Sequence, residues 1–275
     1  MLIQLESDVV CLHNRRPYFI QHSNSMLRKI VFISGMLLAT STATAGEWSG
    51  QGEAGYMRAS GNTQSETINL GLNFLWEGSV WSSEFDLAVY QSSSDGLDSA
   101  DSLEAAYTLE RSLSERSNLF MSLSYLDDQF DGFTEQSSIS AGYSYKLIDR
   151  ESTTWETGIG IGYRDTEEII LAADPALAPT VIDISGATGV LRSKFNTDLT
   201  DNSKFKWNIK TEIGSDNTYA QSDAALLVAM NSRFSLKAQV IVRHNTDPAP
   251  TSKKTDTVSL LSLVYNFGER PKAEE

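Results

Sequence analysis

The sequence predicts an all-β fold, a transmembrane antiparallel up-and-down β-barrel of about 12 strands. The first observation is a strict alternation of apolar and polar side chains between Ser65 and Trp76. Successive side chains on a strand point to opposite faces, so this stretch has one apolar and one polar face. The apolar row consists of Ile68, Leu70, Leu72, Phe74 and Trp76, and the polar row of Thr67, Asn69, Gly71 and Asn73.

The second observation is that this pattern recurs along the chain in segments of roughly ten residues, the length that a tilted strand needs to cross a bilayer. The third is that the predicted connections alternate between short turns and longer polar loops, as in outer-membrane barrels. Several aromatic residues fall near the predicted short turns or in the last strand, where we expect an interfacial girdle: Trp76, Trp81, Trp155, Trp207, Tyr265 and Phe267.

Composition sets limits on the class of partner. The chain has 275 residues, a formal net charge of −14 and a hydrophobic fraction of 40%. This acidic balance argues against nucleic acid, whose phosphates require a basic surface. The single cysteine, Cys11, precedes the segment that we expect to be removed, so neither a disulfide framework nor a cysteine-based metal site is expected.

The first 45 residues are predicted to lie outside the mature fold. Residues 26–45 have a basic start, an apolar stretch from Ile30 to Ala39 and a small-x-small site at Ala43–Ala45, which together indicate a cleaved secretory signal peptide. Residues 1–25 are interpreted as an over-extended gene start. The barrel is expected to span residues 46–267 of an outer-membrane protein of a Gram-negative bacterium, followed by a polar periplasmic tail over 268–275.

The first half of the chain gives clear outward rows. The predicted apolar rows are Trp48 to Tyr56, Ile68 to Trp76, Trp81 to Val89, Leu103 to Leu109, Leu119 to Tyr125, Ile139 to Leu147, and Trp155 to Tyr163. The segment G-I-G-I-G at Gly158–Gly162 is interpreted as a strand whose glycines line the inner face. A long loop is expected between Arg164 and Gly186.

The second half has a weaker pattern. Leu191 and Phe195 mark one strand, Phe205 to Ile213 another, and Phe234 to Val242 a third. Residues 224–230 are apolar on both faces and form the least regular predicted strand. Leu261, Leu263, Tyr265 and Phe267 form the final row.

The first hairpin resembles the start of the salt-induced outer membrane proteins, the family called domain of unknown function 481. The shared features are a Trp-x-Gly opening at Trp48, a Gly-Tyr pair at Gly55 and an S-G-N-T turn at Ser60–Thr63. The likeness is strongest from Trp48 to Tyr163. It implies an outer-membrane barrel with an association with salt or osmotic stress, and it implies no established activity.

The last strand is similar to the C-terminal signal that the barrel assembly machinery recognises. Its alternate residues Leu261, Leu263, Tyr265 and Phe267 carry the likeness. The octapeptide G-E-R-P-K-A-E-E follows Phe267, which departs from the usual form of the signal.

The predicted lumen has two charged walls. The acidic wall consists of Glu53, Glu84, Asp86, Glu104, Glu110 and Glu156, and the basic wall of Arg164, Arg192, Lys194, Lys204, Lys206, Lys210, Lys237 and Arg243. Glu212 is an exception in the basic half. One interpretation is a pore with a transverse field that selects small polar solutes or ions. The alternative is a closed structural barrel for envelope integrity, in which these groups pair and fill the lumen. A barrel of this size lies between filled and open types, so strand number leaves both open.

The predicted loops are acidic, with carboxylates at Asp95, Asp98, Asp127, Asp128, Asp131, Asp165, Glu167 and Glu168. The run D-D-Q-F-D-G at Asp127–Gly132 has spacings that a calcium ion could use, but it lacks the fuller pattern with a distal glutamate. Divalent cations that bridge these loops to lipopolysaccharide phosphate are a second form of this hypothesis, and an ordinary solvated loop is the alternative.

Little in the mature chain supports enzymatic chemistry. Its one histidine, His244, is predicted to point outward at the end of a strand. An outer-membrane lipase could use such a histidine with a serine, but no serine is marked by a motif. We therefore expect no enzyme, no cofactor and no conventional metal site, and a lipid-modifying enzyme is the least favoured hypothesis.

Overall fold

The computed structural model describes residues 46–59, 65–94, 97–128, 133–170, 180–248 and 253–268. Within them the chain forms twelve β-strands. They are β1 Glu47–Ala59, β2 Ser65–Glu77, β3 Trp81–Ser94, β4 Leu97–Ser114, β5 Ser117–Asp128, β6 Phe133–Arg150, β7 Thr153–Ile170, β8 Thr180–Thr200, β9 Ser203–Ile213, β10 Thr218–Ala229, β11 Phe234–Asn245 and β12 Thr255–Gly268. No helix in these segments is long and apolar enough to cross a membrane.

Each strand pairs antiparallel with its neighbours in sequence, and β1 pairs with β12 to close the barrel. The closing pair runs from Ser49 opposite Gly268 to Ala54 opposite Leu263. Closure joins the two edges of the sheet over these six pairs, and a sheet that spans a bilayer needs such closure. The predicted class, an up-and-down transmembrane barrel of about 12 strands, is confirmed. The proposed signal peptide, the over-extended start and residues 269–275 of the tail lie outside the described residues.

The apolar rows face outward. Ile159 and Ile161 are 65% and 77% exposed, and Leu261 is 61% exposed. In water such continuous exposure of large aliphatic side chains would be unfavourable, whereas lipid solvates them. The alternation therefore works as expected: β2 turns Leu70 outward and buries Asn69 on the inside.

The strands are longer than the predicted length of about ten residues. They range from 11 residues in β9 to 21 in β8. The expected long loop between Arg164 and Gly186 is wrong, because β7 and β8 remain paired as far as Ile170 opposite Thr180. Asp165, Glu167 and Glu168 therefore lie on β7, and Asp98 lies on β4. At outward positions of this extension Asp165 pairs with Ser185 and Glu167 with Asp183, so the strands continue past the predicted apolar row.

The irregular strand predicted at residues 224–230 is the second half of β10, which ends at Ala229. Register places Leu226 opposite Phe205 on the outer face and Leu227 opposite Lys204 on the inner face. Both faces are apolar here because Ala225 and Leu227 fill part of the barrel interior, where they are buried.

Aromatic rings gather near the short-turn end of the outer face. Trp48 and Trp76 lie opposite one another with ring centroids 6.4 Å apart, and Trp155 and Phe195 lie 6.5 Å apart. Around the closing seam, Tyr265 stacks with Phe267 at 6.4 Å. Trp155 and Trp207 donate their indole N–H groups to Ser193 and Ser222, each at 2.9 Å. Trp81 lies under the guanidinium of Arg111, 5.6 Å from its ring centroid. Such rings suit an interface that is apolar on one side and wet on the other.

Candidate functional site in the barrel lumen

The charged residues of the two predicted walls occupy inward positions of their strands. Because the barrel is closed, side chains from distant parts of the sequence face one another across the lumen. Acidic and basic groups meet there as ion pairs.

The densest cluster surrounds Arg192 on β8. Its Nη2 donates to Glu110 Oε1 at 2.6 Å and to Glu156 Oε1 at 2.9 Å. The same nitrogen lies 3.2 Å from Ser144 Oγ, and the guanidinium carbon stands 3.7 Å from the ring centroid of Phe120. A planar guanidinium suits this combination of carboxylates and an aromatic face. The cluster, which we call the Arg192 cluster, links β4, β5, β6, β7 and β8 inside the barrel.

Glycines on the facing strands make room for this cluster. A Cβ atom at Gly158 would lie 2.9 Å from Cγ of Arg192. A Cβ atom at Gly142 would lie 2.7 Å from Cε1 of Phe120 and still closer to the carbonyl of Ile159. Gly158 on β7 and Gly142 on β6 therefore serve a packing purpose, since they let Arg192 and Phe120 lie against the inner wall.

A second pair crosses from β8 to β3 at Lys194. Its ammonium donates to Glu84 Oε2 at 3.0 Å. Asn73 joins this group because its Nδ2 donates to Glu84 Oε1 at 3.1 Å and to Asp86 Oδ1 at 2.6 Å. The side chains of Lys194 and Glu84 remain about one-third exposed, at 37% and 32%. They therefore border open space, whereas the Arg192 cluster is packed.

A third group lies nearer the loop end of the lumen. Arg243 on β11 contacts Glu104 Oε2 at 3.1 Å and Asp128 Oδ2 at 3.2 Å. Gln221 also donates to Glu104, at 3.3 Å. The arginine thus connects β11 with β4 and β5 on the other side of the barrel, and Asp128 is a lumen residue that the sequence placed in a loop.

Glu212 is almost completely buried, with 1% of its side chain exposed. It accepts a hydrogen bond from Ser138 at 2.8 Å and pairs with Lys210 at 2.8 Å. Arg164 lies 3.6 Å away on its other side. The one acidic exception in the basic half of the sequence is therefore the shared partner of two predicted basic residues.

The remaining predicted basic residues lie toward the seam and the short-turn end. Lys237 on β11 pairs with Glu53 on β1 at 2.6 Å, and the pair spans β12. Lys204 pairs with Asp198 at 3.1 Å beside the turn between β8 and β9. Lys206 lines the interior cavity.

The lumen also holds a cavity of about 640 Å³. Its polar lining includes Asn73, Asp86, Asn208, Asp223 and Gln239, and Arg192 and Glu110 of the Arg192 cluster also border it. Glu77 and Ser82 border the cavity at the short-turn end of the barrel. Tyr90 and Tyr219 border it nearer the loop end. The barrel interior thus contains both packed ion pairs and open space.

Several apolar side chains lie inside the barrel that were not predicted to do so from the sequence. Phe120, Leu126 and Val190 occupy inward positions and are buried, and Leu126 contacts Tyr219. Each lies in the polar row of its strand. Phe120 lies in the same row as Asn118 and Ser122, and this position in the alternation was the sequence signal that it points inward, although its residue type suggests an outward side chain.

Two further predictions concern chemistry outside the lumen. His244 follows the outward row of β11, and its Nδ1 lies 2.8 Å from Oγ1 of Thr255. The run Asp127–Gly132 falls partly outside the described residues, so the calcium hypothesis stays a prediction. Among described residues, no group of three or more His, Cys, Asp or Glu side chains is arranged to hold a metal ion.

These features define a transmembrane β-barrel with a charged, partly packed lumen. The family model described as "Protein of unknown function, DUF481" matches residues 52–267, and the chain belongs to this family. The family resemblance drawn from the first hairpin is thereby confirmed.

Individual similarities extend over most of the chain. An uncharacterized protein, YdiY, from Escherichia coli strain K12 is 27% identical over 222 residues, which cover 78% of this chain and 81% of that protein. An outer membrane channel from Pseudomonas putida F1 is similar with a TM-score of 0.45 and 10% identity, over 83% of this chain and 97% of that structure. The translocator domain of the autotransporter NalP from Neisseria meningitidis has a TM-score of 0.41 and 13% identity, over 90% of this chain and 96% of that domain.

Proposed function

We propose that this protein is a non-enzymatic outer-membrane channel that passes small ions and small polar solutes through a narrow lumen. The observation that carries the proposal is the interior cavity of about 640 Å³, lined by charged and amide side chains inside a barrel with an apolar exterior. A polar lining is what a conducting path for ions needs.

The ion pairs explain why the path is narrow. The Arg192 cluster fills the β4–β8 side, and Lys194 with Glu84 reaches across the remaining space. Because desolvated charges are stable only when paired, these contacts would hold the barrel in one shape while water and ions pass beside them. We therefore expect small solutes to pass and sugars of two or more rings to be excluded.

Potassium release tests this proposal. The purified, refolded protein is reconstituted into liposomes loaded with KCl, and the liposomes are diluted into an isosmotic potassium-free buffer. Release that rises with the amount of protein supports a channel. Release equal to that from liposomes with heat-denatured protein contradicts it. Isosmotic swelling in small and large sugars then gives the size limit.

A closed barrel for envelope integrity is the second candidate, and the packed Arg192 cluster is the observation that favours it. In that case reconstituted liposomes release no potassium. A deletion strain would also lose tolerance to detergent and to high salt. A deletion strain that grows normally under both stresses, together with potassium release, would leave the channel as the better account.

The proposed location and partners follow from the same exterior. The apolar rows would contact outer-membrane lipid and lipopolysaccharide, and β12 would present Leu261, Leu263, Tyr265 and Phe267 to the barrel assembly machinery. Divalent cations at the acidic loops and induction by salt are further parts of the proposal. Membrane fractionation from cells grown with and without added NaCl tests location and induction together.

A further inference from the structure

Asp86 and Asp223 differ from the ion-paired lumen carboxylates in their partners. Each accepts a hydrogen bond from an amide: Asn73 donates to Asp86 at 2.6 Å, and Gln239 donates to Asp223 at 2.6 Å. Neither forms an ion pair with a described residue, and both line the cavity. An amide holds a carboxylate in place without neutralising its charge.

The cations nearest to these two carboxylates are engaged elsewhere. Lys194 lies within electrostatic range of Asp86, but its ammonium contacts Glu84 at 3.0 Å. Lys237 lies within range of Asp223, but its ammonium contacts Glu53 at 2.6 Å. Each aspartate therefore has no cation in contact with it among the described residues, and when ionised it directs its charge into the cavity.

Two ion-pair clusters elsewhere in the lumen contain more carboxylates than cations. Arg192 is shared by Glu110 and Glu156, and Arg243 is shared by Glu104 and Asp128. Glu212 shows the opposite arrangement, since Lys210 and Arg164 share it, but it lies deep in the wall. Lys206 adds a positive charge at the cavity surface, and it lies within electrostatic range of Glu84.

The barrel order puts the two aspartates on different sides of the cavity. Asp86 belongs to β3 and Asp223 to β10, and β2, β1, β12 and β11 separate these strands along the shorter way round. An ion that crosses the cavity is thus exposed to carboxylate charge from both sides. In a space walled by low-dielectric protein, such a field concentrates ions of one sign.

We infer that Asp86 and Asp223 make the lumen selective for small monovalent cations such as K⁺ over anions. This inference rests on the proposed channel and names the class of solute that it prefers. Asn73 and Gln239 act as positioning residues, because they hold the two carboxylates without cancelling their charge.

Reversal potentials in planar bilayers test the inference. The current through the reconstituted protein is measured across a KCl gradient for the native chain, Asp86→Asn, Asp223→Asn and the double variant. Asparagine keeps the shape and one acceptor oxygen of aspartate, so the amide contacts can persist. Asp201→Asn is the matched control, since Asp201 lies exposed in the turn between β8 and β9.

The native chain and Asp201→Asn are expected to give reversal potentials of the sign that cation preference requires. Each lumen variant should lower the cation-to-anion permeability ratio by about twofold or more, and the double variant should lower it further. Openings with anion preference, or an unchanged ratio in the double variant, would overturn this inference and leave the channel intact. A complete absence of openings would overturn both. Heat-modifiable gel migration shows which variants are folded.

Discussion

Lys237 on β11 and Glu53 on β1 form an ion pair of 2.6 Å that bridges over β12, the strand that closes the barrel. Both side chains are 16% exposed, so little solvent screens them. The pair therefore joins β1 and β11 across the seam from the inside. Along the wall, β12 connects these two strands by pairing with each of them.

The seam pair should be energetically coupled. A double-mutant cycle with Glu53→Gln and Lys237→Met is expected to give a coupling free energy of about 1–3 kcal/mol, because contacting charged residues are not independent. The measurement is unfolding by urea in detergent micelles, followed by tryptophan fluorescence. Additive effects of the two substitutions would show that the pair contributes nothing to closure.

Loss of the arginine at the centre of the Arg192 cluster should be costly. Arg192→Met leaves Glu110 and Glu156 without their cation in a site where the arginine side chain is only 10% exposed. Breaking a buried pair in this way destabilises by about 3–5 kcal/mol. Samples are heated to a series of temperatures before electrophoresis. The temperature at which the band of the folded form disappears should fall clearly.

Two comparisons make the Arg192 experiment specific. Arg116→Met, in the exposed turn between β4 and β5, removes the same charge and should change that temperature little. The triple variant with Glu110→Gln and Glu156→Gln should recover part of the loss. Equal effects of Arg192→Met and Arg116→Met would refute a stabilising role for the cluster.

The glycine at position 158 should tolerate little enlargement. Gly158→Val places atoms against Arg192 and Ser144, which lie 2.9 and 3.2 Å from the position of a Cβ atom. Overpacking of this kind costs about 1–3 kcal/mol. Gly186→Val is the matched control, because a Cβ atom at Gly186 would have no neighbour within 4 Å. The same heat-modifiability assay would show equal stability of both variants if the packing account were wrong.

The leader prediction concerns residues outside the described structure. We expect the protein from membranes to begin at Gly46, after cleavage behind Ala45, since small residues precede that bond. Mass spectrometry of the intact chain decides this. Recovery of peptides that contain Cys11 from the outer-membrane fraction would contradict both the cleavage and the interpretation of residues 1–25.

The sequence predicted the architecture well because each strand must satisfy one simple rule. Lipid requires an apolar residue at every second position, so Leu70 outside and Asn69 inside follow from alternation alone. Strand ends were less predictable. At outward positions of the extended part of β7 and β8, Asp165 pairs with Ser185 and Glu167 with Asp183, so the strands continue where the apolar row has ended.

The interior was predicted only in part. Alternation identified Arg192, Glu110 and Glu156 as inward residues, but their meeting depends on closure and on the stagger of the strands. Phe120 was missed because an aromatic residue in a polar row looks like an interruption of the pattern. Asp223 was missed because its strand is apolar on both faces over most of its second half.

The central claim is that ion pairs across the lumen narrow a conducting path. The most direct test is the single-channel conductance of a variant that lacks both members of one such pair. The double variant Glu84→Ala/Lys194→Ala removes one such pair without changing the net charge, and Lys204→Ala/Asp198→Ala removes a pair at the turn as the control. The account predicts small discrete openings for the native chain and the control, and larger openings for the lumen variant. No openings in any of the three, or native openings as large as those of the lumen variant, would contradict it.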